Sequence, residues 1–258
     1  MAPNSASDWD FYFCNVNDAL SSIFVDLGAI RRAPVAEKPW LLWIWVGLRS
    51  PREDGLSSND EAPKLYEIED ALTGGLLGQT GAELLGRITG SNRREFYFYA
   101  PDDQILGAAM SQVRLEFPDY EFEFGAQGDP EWRQYLDLLY PSEDNMQRIQ
   151  NRRVLTELEE KGDDHSIPRS IDHCLYFRSA EDRRAFVASI AGAGFTVQSE
   201  DEDDDVEGVR ERPYSLILVR VDPVTPDHLN QVTLQLFEHA RQFGAEYDGW
   251  GCEVRSVS

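Results

Sequence analysis

Apolar and polar positions fall into two successive runs of strand and helix signals. Residues 8–15 are aromatic-rich, and 22–27 carry the β-branched and aromatic content of a strand. Residues 40–48 read WLLWIWVGL, apolar on both faces as a central strand requires, with Trp40, Trp43 and Trp45 expected in the core. A helix is expected over 60–73, where Leu65, Ile68 and Leu72 share one stripe. Residues 83–89 and 95–100 flank Gly90-Ser91-Asn92 and predict a hairpin. A second helix over 102–115 places Ile105, Ala109 and Val113 on one face, and 120–124 (YEFEF) alternates as a half-buried strand. From Trp40 the order is β-α-β-β-α-β, the ferredoxin-like order. Helical stretches over 129–139 and 142–161 follow, the second stopped by Gly162.

The polar, proline-containing stretch 163–168 (DDHSIP) sets the expected boundary between domains 1–162 and 163–258. Beyond it the order repeats. A strand over 171–178 leads to Ser179, an N-cap with Asp182 at the capping-box position, and a helix to residue 193. Strands over 195–198 and 214–221 enclose an acidic run. Thr225 and Pro226 then open a helix to 243, and 247–255 closes the sheet. The expected fold class is α+β, with two ferredoxin-like sandwich domains, the first extended by N-terminal strands and C-terminal helices.

Charge changes this picture most. The 258 residues carry a formal charge of −23. Such a field repels the phosphate backbone of nucleic acid and anionic membrane, and attracts basic protein segments. Cys14, Cys174 and Cys252 are odd in number and widely spaced, which suits neither a disulfide framework nor a zinc site. The first residues lack the basic and apolar regions of a signal peptide, and the longest apolar run is too short to span a bilayer. The expected location is cytoplasmic.

Several pieces carry a resemblance. The segment GDDHSIPRSIDHCLYF (162–177), the Ala191-Gly-Ala-Gly-Phe195 helix exit and Glu246-Tyr-Asp-Gly-Trp250 resemble, in order and spacing, the bacterial family called regulator of ribonuclease E activity B. Gly86-Arg87-Ile-Thr-Gly90, Arg94-Glu-Phe-Tyr-Phe-Tyr99, Trp132-Arg-Gln-Tyr135 and Leu139-Tyr140-Pro141 resemble domain-of-unknown-function family 695, which brings no known activity. The first resemblance implies a ferredoxin-like sandwich that binds the endoribonuclease through its arginine-rich tail and restrains RNA cleavage. The chain departs from the short single-domain members of that family in carrying a whole preceding domain.

The candidate partner-binding residues are Glu200, Asp201, Glu202, Asp203, Asp204, Asp205 and Glu207 of the acidic run, with Tyr247, Asp248 and Trp250 near the last strand. Carboxylates pair with guanidinium groups, and exposed aromatic rings stack on them. The same residues also suit a solvated acidic loop and a structural turn at Gly249. No register of the run satisfies a calcium-binding EF-hand, because position 6 or position 12 always fails. Asp163, Asp164, His165, Asp172 and His173 form the cluster that a metal-assisted hydrolase would use. Yet His173 alternates with Leu175 and Phe177, as a core histidine does, and no nucleophile or phosphate-cradling glycine loop accompanies the cluster. The expectation is a non-catalytic regulator without cofactor. A metal-assisted hydrolase built on Asp163, His165 and His173, or a nucleic-acid mimic that blocks another basic protein, are the alternatives.

Overall fold

The computed structural model describes residues 7–202 and 211–256. The chain divides into two compact units, Met1–Asn145 and Met146–Ser258, each organised on one antiparallel sheet.

The first unit contains β1 (Trp9–Val16), β2 (Ala19–Asp26), β3 (Trp40–Gly47), β4 (Glu83–Gly90), β5 (Arg93–Ala100) and β6 (Phe122–Gly128), in the spatial order β1-β2-β4-β5-β3-β6. Helix α1 (Ala62–Gly74) and the single turn α2 (Leu76–Gln79) join β3 to β4, and α3 (Leu106–Glu116) joins β5 to β6. The β4-β5-β3-β6 part is the ferredoxin-like arrangement, and the β1–β2 hairpin widens it by two strands. Both hairpin turns use consecutive left-handed residues, Asn17-Asp18 (φ 51° and 63°) and Ser91-Asn92 (φ 50° and 61°). That is the type I′ geometry, whose twist matches the flanking strands.

Strand β3 is apolar on both faces because both faces of this sheet are covered. Leu42, Ile44 and Val46 pack with Phe96 and Phe98 under Leu65, Ile68 and Leu72 of α1 and Ala109, Met110 and Val113 of α3. On the opposite side Leu41 is buried, as are Trp132, Tyr135 and Leu139 of the segment after β6. Where the sequence predicts a helix over 129–139, the structure has a wide π-helical turn, Gln134–Leu139. Asp129 organises it by accepting the Arg133 and Gln134 amides (both 3.0 Å) and the Tyr99 hydroxyl (2.5 Å). Trp132 takes a left-handed backbone (φ 55°), compensated by stacking on Tyr99 at 4.4 Å and by an indole N–H donated to the Lys38 carbonyl at 2.9 Å. Trp40, Trp43 and Trp45, expected in the core, are half-buried; Trp43 lies against Gly125, where a Cβ would come within 2.5 Å of its ring.

The second unit contains α4 (Glu143–Glu160) and then β7 (Arg169–Phe177), α5 (Ala180–Ser189), β8 (Thr196–Glu202), β9 (Tyr214–Asp222), α6 (Pro226–Gln242) and β10 (Glu246–Cys252). Strand order β10-β7-β9-β8 is again ferredoxin-like. The Ser179 hydroxyl caps α5 by accepting the Asp182 amide at 3.1 Å, as the capping box predicts. The helix stops at Ser189, short of the expected 193, and β8 extends into the acidic run.

The expected domain boundary at 163 moves upstream, because α4 has its apolar partners in the second unit. Leu155 and Leu158 bury with Ile171, Val224 and Leu229. Asn151, fully enclosed, donates to Asn230 (2.8 Å) and Thr233 (2.7 Å) and accepts the Trp250 indole N–H (2.9 Å).

Candidate functional site

The three long helices of the second unit pack on one face of its sheet, over Leu175, Phe177, Leu216, Leu218 and Tyr247. Side chains alternate along a strand, so the register defines what the other face presents. One cross-strand row reads Asp201–Ser215–Tyr176–Glu246, with a carboxylate at each edge and a tyrosine between them. The next row reads Ser199–Ile217–Cys174–Gly249, and the next Thr196–Val219–Asp172–Gly251. The two middle strands thus present Tyr176, Cys174, Ile217 and Val219 together with Ser215 and Asp172, and the edge strands present Asp201, Glu246, two glycines and two hydroxyl residues.

A β-bulge in β10 shapes one margin. The register shifts between Tyr247 and Gly249, and Gly249 takes φ 117°, a conformation that L side chains rarely adopt. The extra residue lets Tyr247 and Trp250, three positions apart, both face the helices, while Asp248 stays exposed. Asp248 joins Tyr176, Glu211, Arg212 and Glu246 around a shallow pocket of about 400 Å³. Arg212 bridges Glu246 at 3.3 Å and Arg178 pairs with Glu211, so three carboxylates meet two guanidinium groups there. The Cys174 thiol is pushed up by burial first, then by the charges of Asp248 and Asp172, which places both carboxylates in its field.

Of the residues expected to meet a partner, Glu200, Asp201 and Glu202 stand exposed on the edge strand β8. Alternation divides them: Asp201 belongs to the open face, whereas Glu200 and Glu202 pair with Leu216 and Tyr214 on the helix side. Glu200 is bridged by Arg183 at 3.3 Å. Asp203, Asp204, Asp205 and Glu207 lie outside the described residues. Tyr247 is only 7 % exposed and hydrogen-bonds His173 Nδ1 at 2.9 Å, so its ring offers no stacking surface. Trp250 is half-buried against α4, its N–H spent on Asn151. Asp248 is exposed. The residues that sequence reading missed are Tyr176 and Glu246, which join Asp201 only through strand pairing.

The Asp–His cluster is resolved into two structural devices. Asp163 pairs with Arg169, both enclosed, and accepts the Arg255 amide at 2.7 Å. Arg169 donates further to the carbonyls of Asp164 (2.5 Å), Ile167 (3.1 Å) and Glu253 (3.1 Å). Burial would raise the Asp163 carboxyl, but the Arg169 guanidinium and the Arg255 amide hold it below the usual carboxylate range. His173 is fully enclosed beside Phe195 and Tyr247, and burial with the nearby Arg220 charge pushes it down to about 4. It is therefore neutral near pH 7. A third polar group, Asp222, accepts from Arg220 Nε and His228 Nε2, both at 2.6 Å. Among the described residues no group of His, Cys, Asp and Glu has the arrangement to hold a metal ion, and no helix is long and apolar enough to cross a membrane.

Comparison with known proteins assigns the two units separately. Residues 148–252 match the family model described as regulator of ribonuclease activity B. No curated relative matches the chain. Among solved structures, a protein of unknown function from Galdieria sulphuraria is 11% identical, covering 83% of this chain and 99% of its own, with a TM-score of 0.25. A candidate glycine cleavage system transcriptional repressor is 8% identical, covering 84% and 98%, with a TM-score of 0.23. At those scores neither bears on the fold. The model of the family of unknown function DUF695 matches residues 7–140, more than half of the sequence, and the chain belongs to that family.

Proposed function

We propose that this chain is a non-catalytic, acidic regulator that restrains an RNA-processing endoribonuclease of the ribonuclease E type by binding an arginine-rich segment of it. The family match of residues 148–252 supports regulation of a ribonuclease. The observation that carries the mode of binding is the row Asp201–Ser215–Tyr176–Glu246. Its edge carboxylates stand three strand spacings apart, about 14 Å. Arginines four residues apart in an extended segment span nearly the same distance, with the chain between them passing over Tyr176. Each exposed ion pair contributes only about 0–1 kcal/mol, so affinity rests on several pairs and on Ile217 and Val219 in the middle of the face. The acidic run, including Asp203, Asp204, Asp205 and Glu207, acts earlier. Its field reaches roughly 8 Å at physiological ionic strength and raises the rate of encounter.

The test is binding kinetics of the full chain with an arginine-rich peptide at several salt concentrations. Neutralising Glu200, Asp201 and Glu202 together with Glu246 and Asp248 should slow association by about tenfold and flatten the salt response. Tyr176→Ala should act on dissociation instead. An unchanged on-rate and salt slope in the neutralised variant would sink this reading and leave the acids as a guard against edge-to-edge strand pairing.

A further inference from the structure

A second concave site lies in the first unit, and its chemistry is opposite to the rest of the molecule. Where the β1–β2 hairpin widens the sheet beyond α1, a pocket of about 340 Å³ opens between β1, β2, β4 and β5, the helix and the loop after β3. That volume is at the lower end for small-molecule sites. In a chain of net charge −23, the pocket is lined by three arginines, Arg52, Arg87 and Arg94, and by no carboxylate.

The three arginines are not equivalent. Arg87 is ion-paired with Glu69 and lies over the rings of Phe24 (4.2 Å) and Tyr66 (5.4 Å). Arg52 pairs with Asp54 at 2.5 Å near the surface. Arg94 is only 4 % exposed, and among the described residues no carboxylate pairs with it. Its Nε donates to the Thr89 hydroxyl at 3.0 Å, while Nη1 is buried with no acceptor. Glu69 and Glu61 both lie in its field and the Tyr66 ring lies 5.5 Å from it, but Glu69 is paired with Arg87 and Glu61 gives both oxygens to the backbone amides of Arg49 (2.7 Å) and Ser50 (2.9 Å). Burial, then repulsion by Arg87, pushes the Arg94 guanidinium down to about 10, so it remains charged at neutral pH. A buried cation with an unused donor is costly to keep unless an anion meets it.

The walls restrict that anion further. Phe11 and Phe13 stand 38% and 50% exposed at the mouth, in edge contact at 5.8 Å, facing Tyr66 at 49%. Exposed aromatic rings around a cationic floor favour a flat apolar body carrying a negative group. Arg52 and Arg87 are paired with Asp54 and Glu69, and Glu61 lies in the field of Arg94, so the site has little positive charge to spare and suits a monoanion better than a dianionic phosphate.

We propose that this pocket binds a small aromatic monocarboxylate, its carboxylate on Arg94 and its ring among Phe11, Phe13 and Tyr66. The site stands independently of the ribonuclease reading, which concerns the second unit.

Benzoate, benzamide, phenyl phosphate and inorganic phosphate are the probes, titrated into the full chain and followed by calorimetry and by amide shifts of β1 and β4. Benzoate should bind with Kd of about 1 mM or tighter, and benzamide, its neutral counterpart, at least tenfold more weakly. Arg94→Met should abolish benzoate binding, and because it also removes a buried charge its thermal midpoint should hold or rise. Should that variant fail to fold, Phe13→Ser, at an exposed position, must still weaken benzoate several-fold. The proposal is overturned if benzoate fails to bind, if Arg94→Met or Phe13→Ser binds it as the parent does, or if benzamide binds equally. Phenyl phosphate or inorganic phosphate binding tenfold tighter than benzoate would overturn the carboxylate assignment.

Discussion

The two sheets share a connectivity and differ in what covers them. In the first unit helices lie on one face, and the segment with Trp132, Tyr135 and Leu139 lies on the other. A pocket opens there at the rim, between the hairpin extension and α1. The second sheet has helices on one face only, and its other face presents whole cross-strand rows. What holds each unit together differs accordingly. Stacked rings fill the first around one polar lock, Asp129–Tyr99, whereas the second is braced by three: Asp163–Arg169, His173–Tyr247 and Asn151 with its partners. One connectivity therefore supports two strategies, decided by whether a second layer is available.

If that contrast is right, the second unit should be the more vulnerable one to single polar changes. Arg169→Met leaves Asp163 enclosed without its cation and should cost about 3–5 kcal/mol. Hydrogen exchange should show the loss in β7 and β10 and not in β3 or β5. Protection lost equally in both units would mean that the Asp163–Arg169 pair stabilises more than its own sheet.

Acid should separate the units next. The folded His173 titrates at about 4 against an ordinary 6.5, so the folded state binds fewer protons than the unfolded one across that interval. Its contribution is fully present above about pH 6.5 and is lost as pH falls towards 4, about 3 kcal/mol in all. Urea unfolding in pH steps should show this slope in the second unit, and His173→Gln should flatten it.

The first unit should respond to volume instead. Gly125→Ala drives a methyl into the Trp43 ring, which is itself packed on Trp45 at 4.9 Å. A cost of about 1–3 kcal/mol, read as faster exchange in β3 and β6, is expected. Smallest of all, Trp250→Phe keeps an aromatic ring on α4 but loses the indole bond to Asn151 and part of the ring's packing, and should cost about 1 kcal/mol, with α4 loosened first. A larger effect would mean that the ring's packing on Leu155 and Leu158, and not its N–H, secures the helix.

Much of this architecture could be read from periodicity alone. Leu65, Ile68 and Leu72 announce α1, YEFEF announces β6, and Ser179 with Asp182 announces the start of α5. These are local signals, carried by neighbours in sequence. What escaped was non-local. Nothing near Asn151 shows that it will hydrogen-bond Thr233 and Trp250, so α4 reads as the tail of the first domain. The π-helical turn depends on Asp129 and Tyr99, thirty residues apart. The site divides in the same way. A run of acids is plain in the sequence, but that Asp201 shares a row with Tyr176 and Glu246 follows only from strand register. Tyr247 carries no local sign that its hydroxyl is committed to His173. Arg94 looks like any arginine of an alternating strand until its buried, unbonded Nη1 is seen.

The Asp163–Arg169 lock also has a mechanical consequence. It fastens the start of β7 to the end of β10 through the Glu253 carbonyl and the Arg255 amide, and Asp164 donates its own amide to the Arg255 carbonyl. These strands run antiparallel, so the two fastened points lie at the same end of the pair. Tension applied beyond Arg255 therefore peels β10 away one ladder bond at a time instead of shearing all of them together. A peeled strand yields at low force unless its first bonds are strong. Here the first to be loaded are the charge-assisted ones, so a motor pulling from that side meets its strongest bonds before any ladder bond of the sheet.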